Sequence, residues 1–348
     1  RVLHDFEPAE LISAAIGFAV AAIPEGLPAL VTITLALGVQ QMAKRNAIMR
    51  NLPAVETLGA VTTVCSDKTG TLTRNEMTVR HVVTRRGEYD VEGLGYQPEG
   101  RITFDGFDAG LEAFGDLRTL VTVMSVANDS HVVSEDGHWR VLGEPTEGAL
   151  CTLGMKVGFD PSAYTRLAVL PFESEHKYMA TLNQTPGGQR VVLLKGAPDR
   201  VLDCSATEVD AEGRTHPLDR DAWEKVIDRL SAQGLRVLAA AARPARPERA
   251  DLDHDALANM RFVGLVGIVD PPRPDAVEAI ATCHRAGIQV KMITGDHAGT
   301  ATAISAEMGI ARDGSAEAVS GPELERATNE QLRKVVDTTD TFARTSPE

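Results

Sequence analysis

The opening of the chain and its remainder follow different hydrophobic patterns. From Leu11 to Ala43 the only ionisable residue is Glu25, and about 20 apolar residues suffice for a helix to cross the hydrocarbon core of a bilayer. The run predicts one membrane-spanning helix with length to spare. Lys44 and Arg45 close it; basic residues mark the cytoplasmic end of a span, so the body of the chain is expected in the cytoplasm. Further on, apolar residues come in short runs rich in β-branched types. Val61 to Cys65 predicts a buried parallel strand that delivers Asp67 at its carboxyl end, before a turn containing Gly70. "GIQVKMITGD", residues 287 to 296, repeats the pattern and ends in Thr294, Gly295 and Asp296. Ligands of open α/β sheets bind outside the carboxyl ends of the strands, so both carboxylates are expected at one sheet edge.

The stretch between these two strands is too long for a connecting loop. An inserted domain is expected at about 77 to 271, and "DPPRP", residues 270 to 274, punctuates its end, although alone it reads only as a rigid loop. A chain of 348 residues, 43% of them hydrophobic, suits two or more folded units. Its formal charge of −14 argues against a nucleic-acid partner, because phosphate backbones demand a basic face. Cys65, Cys151, Cys204 and Cys283 are widely spaced without a CxxC, so neither a zinc site nor a disulfide framework is expected and the surroundings read as reducing. Arg1 to Glu10 carries acidic residues and no pattern of a signal peptide. Aromatic content, 4%, offers no recognition stripe for a protein partner.

Two short stretches carry candidate chemistry. In "PEGLP", residues 24 to 28, Pro24 and Pro28 lack backbone N–H groups and Gly26 permits unwinding. Carbonyls around Val20 and Pro24 are thereby freed beside Glu25, and hard cations are bound by such clusters of carboxylate and carbonyl oxygens. Broken helices of transporters use this device near mid-bilayer, and ionisable groups within spans are usually functional. The alternatives are a proline kink with an inert, protonated Glu25, or a helix buried in protein. In "VTTVCSDKTGTLT", residues 61 to 73, Asp67 can attack a phosphoryl group while Lys68, Thr69 and the backbone at Gly70 surround the transferred charge. Thr294 and the Gly295 amide can bind phosphoryl oxygens from the second strand. "CSDKTGTLT" is far more specific than an isolated DKTG turn.

These residues resemble the P-type cation-transporting ATPases, whose signature is the DKTGT stretch with its phosphorylated aspartate. Residues 20 to 73 are similar to the fourth transmembrane helix and its junction with the phosphorylation domain in the calcium-pump branch. The resemblance continues in order through "GEPTEGAL", "FESEHKYM", "KGAPDRVL", "GLRVLAAAAR", "GIVDPPRP", "VKMITGDH" and "FARTSPE". It implies an α/β fold: a haloacid dehalogenase-like, doubly wound phosphorylation domain, split by an inserted α+β nucleotide-binding domain and preceded by a transmembrane helix. The implied boundaries are 1–43 for the helix, 44–76 and 272–348 for the two parts of the phosphorylation domain, and 77–271 for the nucleotide domain.

The resemblance also implies roles. ATP is the implied phosphoryl donor, with Glu147, Phe172, Lys177 and Lys195 at its adenosine end and Arg236 on its phosphates. By their residue types alone, Phe172 suits a stacking face and Gly196 a close backbone approach, but core packing is the commoner role for Phe172 and a solvated surface for Lys177 and Lys195. Asp270 and Arg273 are implied at a hinge, helping the nucleotide phosphates meet Asp67. Thr294 is implied on the phosphoryl group, and magnesium on Asp67 and the Thr69 carbonyl. Glu25 with the carbonyls of Val20, Ala21 and Ile23 is the implied site of the transported ion, most closely calcium, with sodium, manganese or protons as alternatives.

The chain reads as a fragment of an integral membrane pump, expected in the cell membrane with its catalytic domains cytoplasmic. The actuator domain, the other membrane helices and the magnesium-loop aspartates of the family are the remaining parts it would need. Two other readings stay open: a soluble phosphatase of the haloacid dehalogenase-like group, and a nucleotide-binding module without catalysis. Such phosphatases commonly place a second Asp two residues after the nucleophile as acid–base catalyst, where this chain has Thr69, which cannot usefully deprotonate water.

Overall fold

The computed structural model describes residues 8–21, 26–51, 53–311 and 317–345, which form two compact units, 1–63 and 64–348. In the first unit the apolar run is carried by two helices, Pro8–Ala21 and Gly26–Ala43, and the expected unwinding at "PEGLP" falls partly outside the described residues. Pro28 explains the second start. In the first turn of a helix its missing N–H is one that would have no partner anyway, whereas in mid-helix it would break the ladder. Gly26–Ala43 is long and apolar enough to cross a membrane, and none of its residues is buried. Thr32 and Thr34 return their hydroxyl protons to the carbonyls of Pro28 and Leu30, both at 2.8 Å, which leaves no hydroxyl donor unmet on this face. A short helix, Pro53–Gly59, follows.

The second unit holds two principal sheets. The smaller has four strands in the order Thr63–Asp67, Gln289–Thr294, Thr341–Ala343, Val319–Ser320. The last three are mutually parallel. Helices Pro274–Arg285 and Ala298–Glu307 flank them, and Ile280, Val290, Met292, Ile304 and Ala343 close their core.

The larger sheet has eleven strands, all between Thr78 and Val269 in sequence, and its pairings are antiparallel apart from one parallel pair at Ser205–Val209. Because side chains alternate across a strand, it builds two cores. Val79, Val82, Leu193 and Val266 face helices Gly115–Val126 and Pro145–Lys156, while Val83, Val192, Leu194 and Leu265 face Pro198–Cys204 and Arg220–Ala232. Fully burying such a side chain contributes about 1.5–3 kcal/mol. Gly264 lets the central strand bend: its φ is +156, and a Cβ there would meet the Val83 carbonyl oxygen at 2.2 Å.

Candidate functional site

Strand Thr63–Asp67 lies beside Gln289–Thr294 in the small sheet, so both motifs end at neighbouring positions. Asp67 is exposed at the strand end. The chain then turns through Lys68–Leu72, with Thr69 extended and Gly70 at φ +73, a conformation that glycine takes without steric cost. Lys68 is 4% exposed, and its ammonium sits 2.7 Å from the Asp296 carboxylate, which ties the two motifs together. Thr294, 3% exposed, accepts a hydrogen bond from the Asp296 N–H at 3.1 Å and keeps its own hydroxyl proton free to donate. Helix Ala298–Glu307 starts just beyond, capped by the His297 side chain, which accepts from the Gly299 N–H.

Asp270 and Arg273 lie at the end of the large sheet, against the same turn. The Thr73 hydroxyl donates to Asp270 at 2.6 Å, the Arg273 N–H donates to the Leu72 carbonyl at 2.9 Å, and the Arg74 N–H donates to the Pro271 carbonyl at 3.1 Å. Asp270 is buried, and its second carboxylate oxygen has no hydrogen-bond partner. Arg273 is exposed and reaches Asp275 at 3.3 Å. Neither residue enters the cleft described next, so as nucleotide ligands they stand apart from the others.

Glu147, Phe172, Lys177, Lys195, Gly196 and Arg236 line one cleft of about 730 Å³ on the large sheet. Local sequence explains the placement of Glu147. Pro145 opens helix Pro145–Lys156, and the Glu144 side chain caps it by accepting from the Glu147 N–H at 3.1 Å. Glu147 then holds Lys195 at 2.7 Å, and its other oxygen accepts from the Asp129 N–H and the Ser130 hydroxyl. Lys195 is 5% exposed, not the solvated surface lysine that remained open from residue type. Burial pushes its ammonium below the ordinary value, and Glu147 pulls the other way. Beneath it, burial raises the Cys151 thiol to about 11.

Phe172 is 61% exposed at the cleft, so core packing is not its role, and an uncovered ring of this kind can stack on a flat ligand. Lys177 is exposed and takes φ +58 at the end of a turn in which its N–H donates to the Glu173 carbonyl at 2.7 Å. Gly196 has a different reason from the one expected. A Cβ there would lie 2.5 Å from the Lys177 carbonyl oxygen and 2.6 Å from Tyr178 Cα, so the close approach is made by the chain itself. Arg236 donates to the Thr146 hydroxyl at 3.0 Å.

Asp129, Thr146 and Met179 also line the cleft and were missed from sequence. Thr146 stood inside the quoted "GEPTEGAL", where the proline and the capping Glu144 were a signal for its position. The residues expected to bind the transported ion divide differently. Val20 lies in the last turns of Pro8–Ala21, whereas Ile23 and Glu25, and the Ala21 side chain, fall outside the described residues.

Residues 116–275 match the family model described as "P-type ATPase, cytoplasmic domain N". Over its whole length the chain is 44% identical to the "Probable cation-transporting ATPase F" of Mycobacterium tuberculosis (strain ATCC 25618 / H37Rv), covering 39% of that protein. It is 38% identical, again over all of this chain, to the "Calcium-transporting ATPase" of Bacillus subtilis (strain 168), covering 40% of it. With the "Calcium-transporting ATPase type 2C member 1" of Homo sapiens it shares 40% identity over 97% of this chain and 36% of that protein. The chain therefore spans about two fifths of the length of the curated relatives it matches.

Proposed function

We propose, for a chain related along its whole length to the P-type cation-transporting ATPases, ATP-driven cation transport through an aspartyl-phosphate, with calcium as the cation. The observation that carries this reading is the exposed Asp67 at the end of its strand, joined to the second motif by the Lys68–Asp296 ion pair. In this reading residues 44–76 and 272–348 form a split, haloacid dehalogenase-like phosphorylation domain, and 77–271 the inserted nucleotide-binding domain.

The chemistry follows from the groups at the edge. ATP binds in the cleft, its adenine stacking on Phe172 with Glu147, Lys177 and Lys195 at the adenosine end, and its phosphates attracted by Arg236. Asp67 attacks the γ-phosphorus; the bond to the bridging oxygen breaks, and ADP leaves with that electron pair. Thr294 donates its hydroxyl proton to a phosphoryl oxygen, and Lys68 balances the charge of Asp296 beside it. The exposed Asp67 carboxylate and the Thr69 carbonyl are hard oxygen donors that suit magnesium, which when bound neutralises charge on the transferred phosphoryl group. Thr69 offers no base to activate water, which favours a phosphoenzyme that persists long enough to drive a conformational change.

Calcium is supported by the oxygen-rich set of Glu25 and nearby carbonyls, and by the printed names of two relatives. The unburied apolar helix Gly26–Ala43 supports a place in the bilayer, for which the cell membrane is proposed. The test is acid-quenched labelling of the full-length protein by γ-labelled ATP, with and without micromolar calcium. Label that depends on calcium, vanishes in Asp67→Asn and weakens in Glu25→Gln is expected. Label indifferent to calcium would overturn the ion assignment, and no label at all would leave a nucleotide-binding module.

A further inference from the structure

His81, Glu88 and Asp90 stand on the hairpin of strands Thr78–Thr84 and Gly87–Val91, away from Asp67 and from the nucleotide cleft. The backbone prepares their meeting. Against the neighbouring strand, Gly267 pairs with His81 and Ile268 with Val79, so Arg80 is an extra residue in its strand. A bulge of this kind re-aims the side chains beside it. Val79 and Val82 both enter the core, and His81 between them is turned away from it. Across the hairpin Asp90 is the register partner of His81, and Glu88 lies two residues away on the same face. One imidazole nitrogen and two carboxylate oxygens thus come within 4.8 Å of one another.

The imidazole supplies a second observation. Its Nδ1 lies 2.8 Å from the Glu88 oxygen and 3.2 Å from the Asp90 oxygen, yet it is closed off from solvent and makes no hydrogen bond. Both carboxylates are near enough but stand off the direction in which the ring nitrogen donates or accepts a proton. Ligands of a tetrahedral ion bound at about 2.1 Å stand about 3.4 Å apart, with the ion on the nitrogen's lone-pair axis. The two contacts here are shorter than that, so the carboxylates would open slightly around an ion on this axis, which no hydrogen bond occupies. The other Glu88 oxygen is held by Arg229 at 2.7 Å, the kind of outer contact that orients a ligating carboxylate. Two carboxylates against this one guanidinium leave negative charge for a cation.

We propose that His81, Glu88 and Asp90 form a site for a divalent ion of the zinc type, with the remaining positions taken by water. One imidazole with two carboxylates suits such an ion better than magnesium or calcium, which take oxygen alone. His81 and Asp90 also line a cavity of about 420 Å³ shared with Pro271, Pro272 and Glu307, so the ion lies at the junction between the two sheets.

The test titrates cobalt(II) into the full chain in excess magnesium without nucleotide, followed by visible absorption, then displaces it with zinc. Sulfur-to-cobalt charge transfer separates capture by the free cysteines from binding by nitrogen and oxygen. A single equivalent bound without that band, displaced by zinc, is expected. Binding weakens at least tenfold in His81→Gln and in Asp90→Asn and is unchanged in Asp67→Asn. Both hairpin side chains are partly exposed, and circular dichroism checks that the variants fold, with Glu88→Gln as the substitute for either. No saturable binding, a sulfur band, or affinity indifferent to the hairpin variants would overturn the site.

Discussion

Replacing Glu147 with glutamine keeps the shape of the cleft it lines and removes one charge. Lys195, 5% exposed and 2.7 Å from that carboxylate, would be left buried without a counterion. Breaking a buried pair from one side costs about 3–5 kcal/mol. The lysine has an escape, because burial already holds its pKa below the ordinary value of 10.5, and without Glu147 it falls further. Between the folded pKa and 10.5 the unfolded chain binds the extra proton, so stability rises with pH across that window and the cost shrinks as the buried ammonium is lost. Glu147→Gln should therefore be destabilised most near neutrality and recover towards about pH 10. Glu147→Gln with Lys195→Met should be less destabilised than Glu147→Gln alone, because no orphaned charge remains. Urea unfolding followed by the fluorescence of Trp223, buried against the large sheet, and of Trp139, on the separate hairpin of His131–Glu135 and His138–Leu142, reads the effect. It is taken as the difference from the unsubstituted chain, since burial also depresses Lys156, to about 8, and gives both proteins a similar slope. A single variant no less stable than the double, or a loss that does not change with pH, would refute the argument.

Thr73→Val removes the 2.6 Å hydrogen bond to buried Asp270 and leaves that carboxylate unpartnered; a loss of about 1–3 kcal/mol is expected in thermal unfolding, with slower labelling of Asp67. Gly196→Ala drives a Cβ to within 2.5 Å of the Lys177 carbonyl, so a loss of about 1–3 kcal/mol and weaker ATP binding by calorimetry should follow. Asp116 is 5% exposed; burial raises its pKa, but hydrogen bonds from the Thr84 and Tyr89 hydroxyls, both 2.6 Å, overcome this and hold it below the ordinary value. Its stabilisation is present above the unfolded pKa of about 3.9 and is lost as pH falls through the folded one, so Asp116→Asn should flatten the acid end of the stability curve.

The strands ending at Asp67 and Thr294 were legible as short apolar runs bounded by turn residues, a local signal, but only Gln289–Thr294 is largely buried; Thr63–Asp67, expected to be buried, lies at the end of its sheet and has no buried residue. The cleft was legible only in part. Glu147, Phe172, Lys177, Lys195 and Arg236 come from four separate segments, and no periodicity in one segment reports on another; the family resemblance supplied what spacing could not. Burial was the least legible property. Lys195 has the residue type of a surface group, and only its register against Ala240 and Met179 in mid-sheet shows that it is enclosed. Gly196 was read towards a ligand; it lines the cleft, and it is also required by its neighbouring strand, a constraint the sequence did not show. The ion pair of Lys68 with Asp296 joins residues far apart in sequence, and nothing in either motif alone names its partner.

The groups around Asp67 divide by burial in a way that bears on how the proposed nucleophile would be kept in place. Asp67 is exposed, as attack on a docked phosphate requires, but Lys68, Thr73, Asp270 and Thr294 are each 4% exposed or less. The chain passes from the small sheet to the large one through Thr73 and returns through Pro272, and these two residues are bridged to each other. Flanking hydrogen bonds, Arg273 to Leu72 and Arg74 to Pro271, fasten both crossings on either side of that bridge. A hinge made of two strands tied at one point can pivot without altering the geometry on its near side. The three prolines of "DPPRPD" reinforce this by removing backbone freedom where slack would otherwise accumulate. Under the proposed function, rotation of the large sheet about the Thr73–Pro272 bridge would carry a nucleotide towards or away from Asp67 while the Lys68–Asp296 pair and Thr294 stay set for the phosphoryl group.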